Sequence, residues 1–227
     1  MKKVLLLHGA IGAQDHLQPL ADKLSDSYDV LRYNFSGHGG TPFSDTDFSI
    51  ASFAKEVDDF LAGEGIATVN IVGYSMGGYV GMYLARHYPG RVEKLVTLAT
   101  KFHWDEATAA KETNMLNAAK IEEKLPAFAA TLQKRHHPND WKELFAKTSH
   151  MLLEMGKDNP LKLEEYAAIE NPCLITIGDS DKMISLSETL DVFKALPHAQ
   201  MAMLPNTQHP IEQANIITLT FLIKQFI

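Results

Sequence analysis

The chain has 227 residues, a length that suits one domain with an inserted segment. Hydrophobic residues make up 45% of the sequence and charged residues 22%, which excludes a disordered or collagen-like chain. The formal net charge of −7 disfavours nucleic acid and anionic membranes as partners, and the single cysteine excludes an intrachain disulfide and a cysteine-based zinc site.

The first hundred residues alternate between short apolar runs and amphipathic stretches. The apolar runs predict buried strands over residues 4–7, 28–33, 67–72 and 92–99. The spacing of apolar residues predicts helices over about 15–24, with Asp15 as the N-cap, over 53–61 and over 76–87. No window approaches the roughly 18 apolar residues of a membrane-spanning helix, so we expect a cytoplasmic protein.

Residues 101–168 contain no strand-like run. They are rich in Ala, Leu, Lys and Glu, are broken by Pro126, Pro138 and Pro160, and predict three or four short helices. Strands are expected again at 173–177 and 200–204, and helices at 186–196 and 211–226. We therefore predict one α/β domain over 1–227, with a mostly parallel, doubly wound sheet. In this prediction, 101–168 form a helical cap inserted after the fourth strand, at the sheet edge where active sites lie.

The segment Gly73–Gly78 carries the strongest chemical signal. It reads Gly-Tyr-Ser-Met-Gly-Gly, follows the strand that ends at Val72 and opens a predicted helix. A serine on such a tight strand-to-helix turn has its hydroxyl exposed, and Gly73 and Gly77 remove side chains that would block the turn. We therefore predict that Ser75 is a nucleophile.

A serine nucleophile needs a base and a group that orients the base. Asp181 and His209 follow the fifth and sixth predicted strands, in the chain order Ser, acid, His that this turn requires. Asp179 competes with Asp181, which we favour because it is further from the strand. Other histidines are not expected to be catalytic: His38 is expected to be structural in a Gly-rich loop, His136 and His137 to be solvated in the cap, and His16, His87 and His198 to lie on the surface or in helices.

Two backbone amides are candidates for an oxyanion hole. One belongs to Met76, which follows the nucleophile, and the other to Ala10 in the loop after the first strand. Ile11, Tyr74, Phe102 and Trp104 are predicted to line the substrate pocket, the last two because they directly follow the fourth strand. The apolar cap residues either extend this lining or only hold the cap together: Leu116, Phe128, Met151, Leu152 and Met155. No phosphate-loop motif and no metal-ligand spacing is present.

Five segments together resemble the α/β-hydrolase fold superfamily. They are Leu7–Ala10, Ser36–Thr41, Gly73–Gly78, Gly178–Asp181 and His209–Glu212, in the family's order. The resemblance implies an esterase-like Ser-Asp-His triad, no cofactor, no metal and a helical cap. It also implies that the chain begins at the third family strand, which leaves about six strands in the order 2-1-3-4-5-6.

This resemblance leads to a specific functional prediction. We expect a monomeric or dimeric serine hydrolase that cleaves a small-to-medium, largely apolar carboxylic ester, thioester or lactone through an acyl-enzyme. Other members of the superfamily are lyases, C–C bond hydrolases or perhydrolases, and a receptor with an unused triad is a further alternative. The lyases of the menaquinone pathway resemble Gly73–Gly78 but usually carry an arginine next, where this chain has Tyr79.

Overall fold

A computed structural model describes all 227 residues and contains one sheet of six parallel strands. The strand order is β2-β1-β3-β4-β5-β6, which confirms the predicted order. The strands are β1 (Lys3–Leu7), β2 (Asp29–Tyr33), β3 (Val69–Tyr74), β4 (Val92–Leu98), β5 (Cys173–Gly178) and β6 (Ala199–Leu204). Because every neighbouring pair is parallel, all six carboxyl ends lie along one edge of the sheet.

Nine α-helices connect or follow these strands. They are α1 (Gln18–Leu24), α2 (Ile50–Gly63), α3 (Met76–His87), α4 (Glu106–Thr113), α5 (Ala118–Lys124), α6 (Pro126–His136), α7 (Trp141–Lys157), α8 (Leu186–Ala195) and α9 (Ile216–Phe226). Short 3₁₀ turns occur at Gln14–Leu17, Leu163–Ala168 and Ile211–Gln213. None of the helices is both long enough and apolar enough to cross a membrane.

The sheet is covered on both faces, as its apolar strands require. In β1, Leu5 and Leu7 join a cluster that contains the buried faces of α2 and α3, whereas Val4 and Leu6 join a cluster with α1 and α9. Successive side chains of a strand point to opposite faces, so a strand covered on both sides is apolar at every position. The layered arrangement leaves the carboxyl edge of the sheet for the loops that carry the polar motifs.

Two helix starts differ from the predicted ones. Asp15 lies inside the first 3₁₀ turn and caps nothing, because the N-cap position belongs to Ala13. The last helix begins only at Ile216, where the Asn215 side chain accepts a hydrogen bond from the Thr218 amide at 3.1 Å. Extended backbone at Ala214 separates this helix from the preceding turn.

Four helices, α4 to α7, lie between β4 and β5. Helices α4 and α7 approach closely at Gly156, where a Cβ atom would lie 2.6 Å from the Cβ of Ala109. Trp141 and Phe145 of α7 pack with Ile121 and Leu132 in a small cluster separate from the two faces of the sheet. The insertion therefore has its own apolar contacts in addition to those with the sheet.

Candidate active site

Ser75 occupies a strained turn between β3 and α3. Its φ of 52° is in the left-handed region, which residues with a side chain rarely adopt. The amide of Ser75 donates to the Leu98 carbonyl at 2.8 Å, and the Thr100 hydroxyl donates to the Ser75 carbonyl at 3.1 Å. Hydrogen bonds with the end of β4 and the residues after it therefore hold the turn. The half-buried Ser75 side chain borders a cavity.

The glycines around Ser75 allow close approach of three backbone segments. A Cβ on Gly77 would lie 2.3 Å from the Leu7 carbonyl oxygen, and one on Gly73 would lie 2.4 Å from the Gly77 carbonyl oxygen. A Cβ on Gly9 would lie 2.8 Å from the Tyr74 ring and 3.2 Å from the Ser75 Cβ. The absence of these side chains brings the loop after β1 next to the serine.

Asp181 and His209 are hydrogen-bonded partners. His209 Nδ1 lies 2.9 Å from Asp181 Oδ2, and the Asp181 side chain is fully buried. The competing carboxylate, Asp179, points elsewhere and accepts the amides of Asn206 and Thr207 at 3.0 and 3.2 Å. Asp179 therefore fixes the loop that carries the histidine, while Asp181 contacts the histidine ring itself.

The surroundings of Asp181 favour its ionised form. Burial by itself raises the pKa of this carboxyl. The hydrogen bond and charge of His209 and the amides of Ile184 and Met183 more than offset burial, so the pKa lies below its usual value. Those amides donate to Oδ1 at 3.0 and 2.8 Å, which leaves Oδ2 for the histidine. An ionised, fixed carboxylate holds the Nδ1–H tautomer of His209.

The amides of Ala10 and Met76 flank the serine. Met76 is the first residue of α3, so its N–H has no partner within the helix, and the Ala10 N–H makes no hydrogen bond to the protein. Ile11, next to Ala10, has a φ of 53°, and its carbonyl oxygen lies 3.1 Å from His136 Nε2. The loop after β1 is thus held in a strained conformation with a free donor beside the serine.

One cavity of about 420 Å³ contains Ser75 and His209 in its wall. The two side chains are not hydrogen-bonded to each other, but both face the same space. Of its 27 lining residues, 18 are hydrophobic. Helices α5, α6 and α7 contribute Ile121, Phe128 and Met151, so the inserted helices form part of the wall.

Most residues predicted for the pocket line this cavity. Ile11, Tyr74 and Trp104 do, and so do five residues from the segment between β4 and β5: Leu116, Phe128, Met151, Leu152 and Met155. Phe102 was wrongly predicted to do so: it is buried against Tyr166, with ring centroids 5.9 Å apart, and borders a different pocket. The chain bends after β4, so that Trp104 faces the cavity and Phe102 faces the core.

A family model described as the alpha/beta hydrolase fold matches residues 2–147. The match covers β1 to β4, the serine turn and the loop after β1. The chain belongs to the α/β-hydrolase fold family. Family membership, together with relatives named as hydrolases, supports an enzyme of the hydrolase class, in agreement with the prediction from the sequence motifs.

Relatives of this α/β-hydrolase have several named activities. RutD of Shigella flexneri, named as a candidate carbamate hydrolase, is 28% identical over 91% of this chain and 84% of its own length. A hydrolase from Pseudomonas aeruginosa matches the structure with a TM-score of 0.79 at 20% identity, covering 99% of this chain and 89% of that one. An enol-lactonase from Burkholderia xenovorans matches with a TM-score of 0.76 at 20% identity, covering 99% and 90%. The structural matches show a shared fold.

The prediction for His136 was wrong. Its side chain is fully buried; Nδ1 accepts the Gly39 amide at 3.1 Å, and Nε2 faces the Ile11 carbonyl. Burial lowers the pKa of His136 to about 4, so the ring is neutral and Nε2 donates. His136 therefore joins α6 to the loop after β1. Its neighbour in sequence, His137, is exposed as expected.

The cavity also contains charged residues that the sequence did not point to. Lys101 and Glu112 lie in its wall, and His16, Arg135 and Glu212 lie there too. His16 Nε2 is 3.1 Å from a Glu212 oxygen. Apart from Glu212, which ends the segment His209–Glu212, these residues lie outside the motifs, and because they are far apart in sequence only the fold brings them together. No group of three or more His, Cys, Asp or Glu side chains is arranged to hold a metal ion.

Proposed function

We propose that this α/β-hydrolase cleaves a small-to-medium, largely apolar carboxylic ester, thioester or lactone through Ser75, His209 and Asp181. The observation that carries the proposal is the 2.9 Å contact of His209 Nδ1 with the buried Asp181 carboxylate. His209 and Ser75 lie in the wall of the same cavity. A nucleophile, a base and an orienting acid are the minimum set for acyl transfer.

The reaction has two halves. In the first, Ser75 Oγ attacks the substrate carbonyl while His209 Nε2 takes its proton, and the Ala10 and Met76 amides bind the oxyanion. His209 then gives the proton to the departing alcohol or thiol, which leaves an ester on Ser75. In the second half, His209 deprotonates a water molecule that attacks this ester, and the acid is released. The Ser75–His209 hydrogen bond forms when substrate closes the site, as is common for catalytic contacts.

The cavity lining supports an apolar substrate. Trp104, Phe128 and Met151 present hydrophobic surface, and the volume of about 420 Å³ suits a ligand of modest size. The names of two relatives, a candidate carbamate hydrolase and an enol-lactonase, both denote substrates with a carbonyl carbon bonded to a second oxygen. We infer that the helices of 101–168 act as a cap that shields this cavity from water.

Tyr79 supports hydrolysis over the lyase alternative. Its side chain is buried, its hydroxyl donates to Asn159 Oδ1, and the Leu161 amide donates to the same hydroxyl at 3.0 Å. The position where the resembling lyases carry an arginine thus holds a group already bound within the protein. It offers no cation for a carboxylate-rich substrate.

Labelling with a fluorophosphonate tests the activated serine. Intact-mass measurement of the wild type is expected to show one adduct, which disappears in Ser75→Ala and persists in Ser180→Ala, a nearby exposed serine. Hydrolysis of short-chain p-nitrophenyl esters should follow the same pattern. Labelling of Ser75→Ala at the wild-type rate, or no ester turnover by folded wild type, would contradict the proposal.

A further inference from the structure

Lys101 and Glu112 form an isolated charged pair in the wall of the apolar cavity. Lys101 follows β4 and lies a few residues beyond the end of that strand, and Glu112 is in the last turn of α4. Their side chains are 12% and 7% exposed, and Lys101 Nζ lies 3.5 Å from Glu112 Oε1. Both residues line the same cavity as Ser75. Charged side chains this buried are rare unless their hydrogen bonds are satisfied.

The pair has unused hydrogen-bonding capacity. Lys101 Nζ donates to the Met183 carbonyl at 2.7 Å, which uses one of its three N–H groups. Glu112 Oε1 is buried and accepts no hydrogen bond from any protein group. A buried carboxylate oxygen without a donor lowers stability. A hydrogen-bond donor from a bound ligand would remove this cost.

We propose that Lys101 and Glu112 form a subsite for a neutral group that both donates and accepts hydrogen bonds, such as a hydroxyl or a primary amide. This proposal rests on the proposed function and names the substrate more closely: an apolar acyl chain with one such polar group at its far end. The group donates to the Glu112 carboxylate and accepts from a free N–H of Lys101. The two charges compensate each other, so a neutral group fits better than an anion or a cation.

The remaining charges of the cavity belong to other pairs. Arg135 contacts Asp15 at 3.4 Å, and His16 contacts Glu212 at 3.1 Å. These side chains come from α6, from the turn before α1 and from the segment after His209, not from β4 or α4. Because those charges are already paired and the lining also includes the apolar Trp104, a polar group of the substrate has few other hydrogen-bonding partners in the cavity.

A pair of matched esters tests the subsite. The p-nitrophenyl esters of ω-hydroxy acids with six to eight carbons are compared with those of alkanoic acids in which a methyl replaces the hydroxyl. The wild type is expected to prefer the best hydroxy ester by about tenfold or more in kcat/KM, because a buried charged acceptor left without a donor disfavours the methyl analogue. Glu112→Leu should lose or reverse this preference, whereas Glu106→Leu, the same change on the exposed start of α4, should keep it.

Two further measurements separate the possible failures. If the wild type hydrolyses both esters without preference, the subsite proposal is overturned while the proposed function stands. If it hydrolyses neither ester, the melting temperature of Ser75→Ala is measured with 6-hydroxyhexanamide and with heptanamide, which still tests the subsite. The hydroxy amide is expected to raise the melting temperature more than heptanamide does. Preference for an ω-ammonium ester over the hydroxy ester would overturn the assignment to a neutral group.

A merely structural pair would behave differently. If Lys101 and Glu112 only fastened α4 to the sheet, Glu112→Leu would change the melting temperature and would alter turnover of both esters by the same factor. Lys101→Met provides a second variant should the first fail to fold. It is expected to reduce the hydroxy preference through a higher KM for the hydroxy ester alone, and an unchanged ratio between the two esters would contradict the proposal.

Discussion

Both oxygens of the Asp181 carboxylate have assigned donors, which limits what can replace it. Oδ1 accepts the amides of Met183 and Ile184, and Oδ2 contacts His209 Nδ1. An asparagine has the same shape, but it supplies only one acceptor oxygen and an NH₂ group. Whichever way the amide is turned, one of the two contacts is replaced by donor against donor, or the histidine adopts the other tautomer.

Asp181→Asn is therefore expected to lower kcat by about 10³-fold or more, because the neutral side chain holds the wrong tautomer of His209. Asp179→Asn is the matched control: it removes an exposed carboxylate two residues away that accepts hydrogen bonds from two loop amides and the Ser180 hydroxyl. Its kcat is expected to stay within about tenfold of wild type. Steady-state kinetics on a p-nitrophenyl ester, with circular dichroism to check folding, measures both. Equal losses in the two variants would mean that loop position, not the charge at residue 181, controls turnover.

The sequence could identify these residues but not their contacts. Chain order and the position of loops at the strand ends were enough to place Asp181 and His209 at one edge of the sheet. The sequence favours Asp181 over Asp179 only because Asp181 lies further from the strand. Their roles differ because, in the folded chain, Asp179 binds a loop amide and Asp181 contacts His209. Phe102 and Trp104 illustrate the limit, since two residues two positions apart face opposite ways.

At the scale of elements, glycine positions differ in how tightly they are packed. Gly77 in α3 faces the end of β1, and a Cβ there would lie 2.3 Å from the Leu7 carbonyl oxygen. That atom belongs to the backbone of a central strand and has no freedom to move away. Gly63 is the last residue of α2, and no atom lies within 4 Å of the place that its Cβ would take. A methyl group at Gly63 therefore enters open space.

Gly77→Ala is expected to destabilise the protein by about 2–3 kcal/mol, because helix α3 must move away from the strand. Gly63→Ala is expected to stabilise it by about 0.5–1 kcal/mol, because alanine loses less conformational entropy in a helix. Urea unfolding of both variants measures these changes. The same sign for the two substitutions would contradict the packing seen around α3. Activity of Gly77→Ala should fall as well, since the helix start carries the Met76 amide.

Helix α3 shows what local sequence signals can predict, whereas the strand order followed from the family resemblance. The helix begins and ends where the sequence indicates, because a glycine-flanked serine precedes it and Pro89-Gly90 follows it. The contacts of α6 could not be predicted in this way. His136 has no distinctive neighbours in sequence, and its partners, Ile11 and Gly39, lie about a hundred residues earlier.

At the scale of the whole molecule, three buried histidines connect separate parts of the fold. His8 follows β1, His38 lies in the loop after β2, and His136 ends α6. The ring centroids of His8 and His38 are 5.0 Å apart, and those of His38 and His136 are 6.0 Å apart. Burial lowers the pKa of His8 to about 3 and that of His136 to about 4, and it also lowers the pKa of His38. All three rings are therefore neutral in the folded protein at neutral pH.

This arrangement makes stability depend on pH in a definite direction. In the unfolded chain a histidine takes up a proton near its ordinary pKa of 6.5, whereas folded His136 does so only near 4. Between these values the unfolded state binds more protons, so the free energy of unfolding falls as the pH is lowered. The contribution is fully present above about pH 6.5, and each such histidine adds a slope of up to about 1.4 kcal/mol per pH unit.

His136→Gln tests this assignment, because glutamine offers one acceptor for the Gly39 amide and one donor for the Ile11 carbonyl but does not titrate. Near pH 7 its stability should stay close to that of wild type. Between pH 6 and 4.5 the slope of unfolding free energy against pH should be smaller by up to about 1.4 kcal/mol per unit, as measured by urea unfolding at each pH. His150→Gln, at an exposed position on α7, is the control and should retain the wild-type slope. If His136→Gln also retains it, protonation of His136 does not open the contact between α6 and the loop after β1, and the acid sensitivity comes from other groups, such as His8, His38 and Asp181.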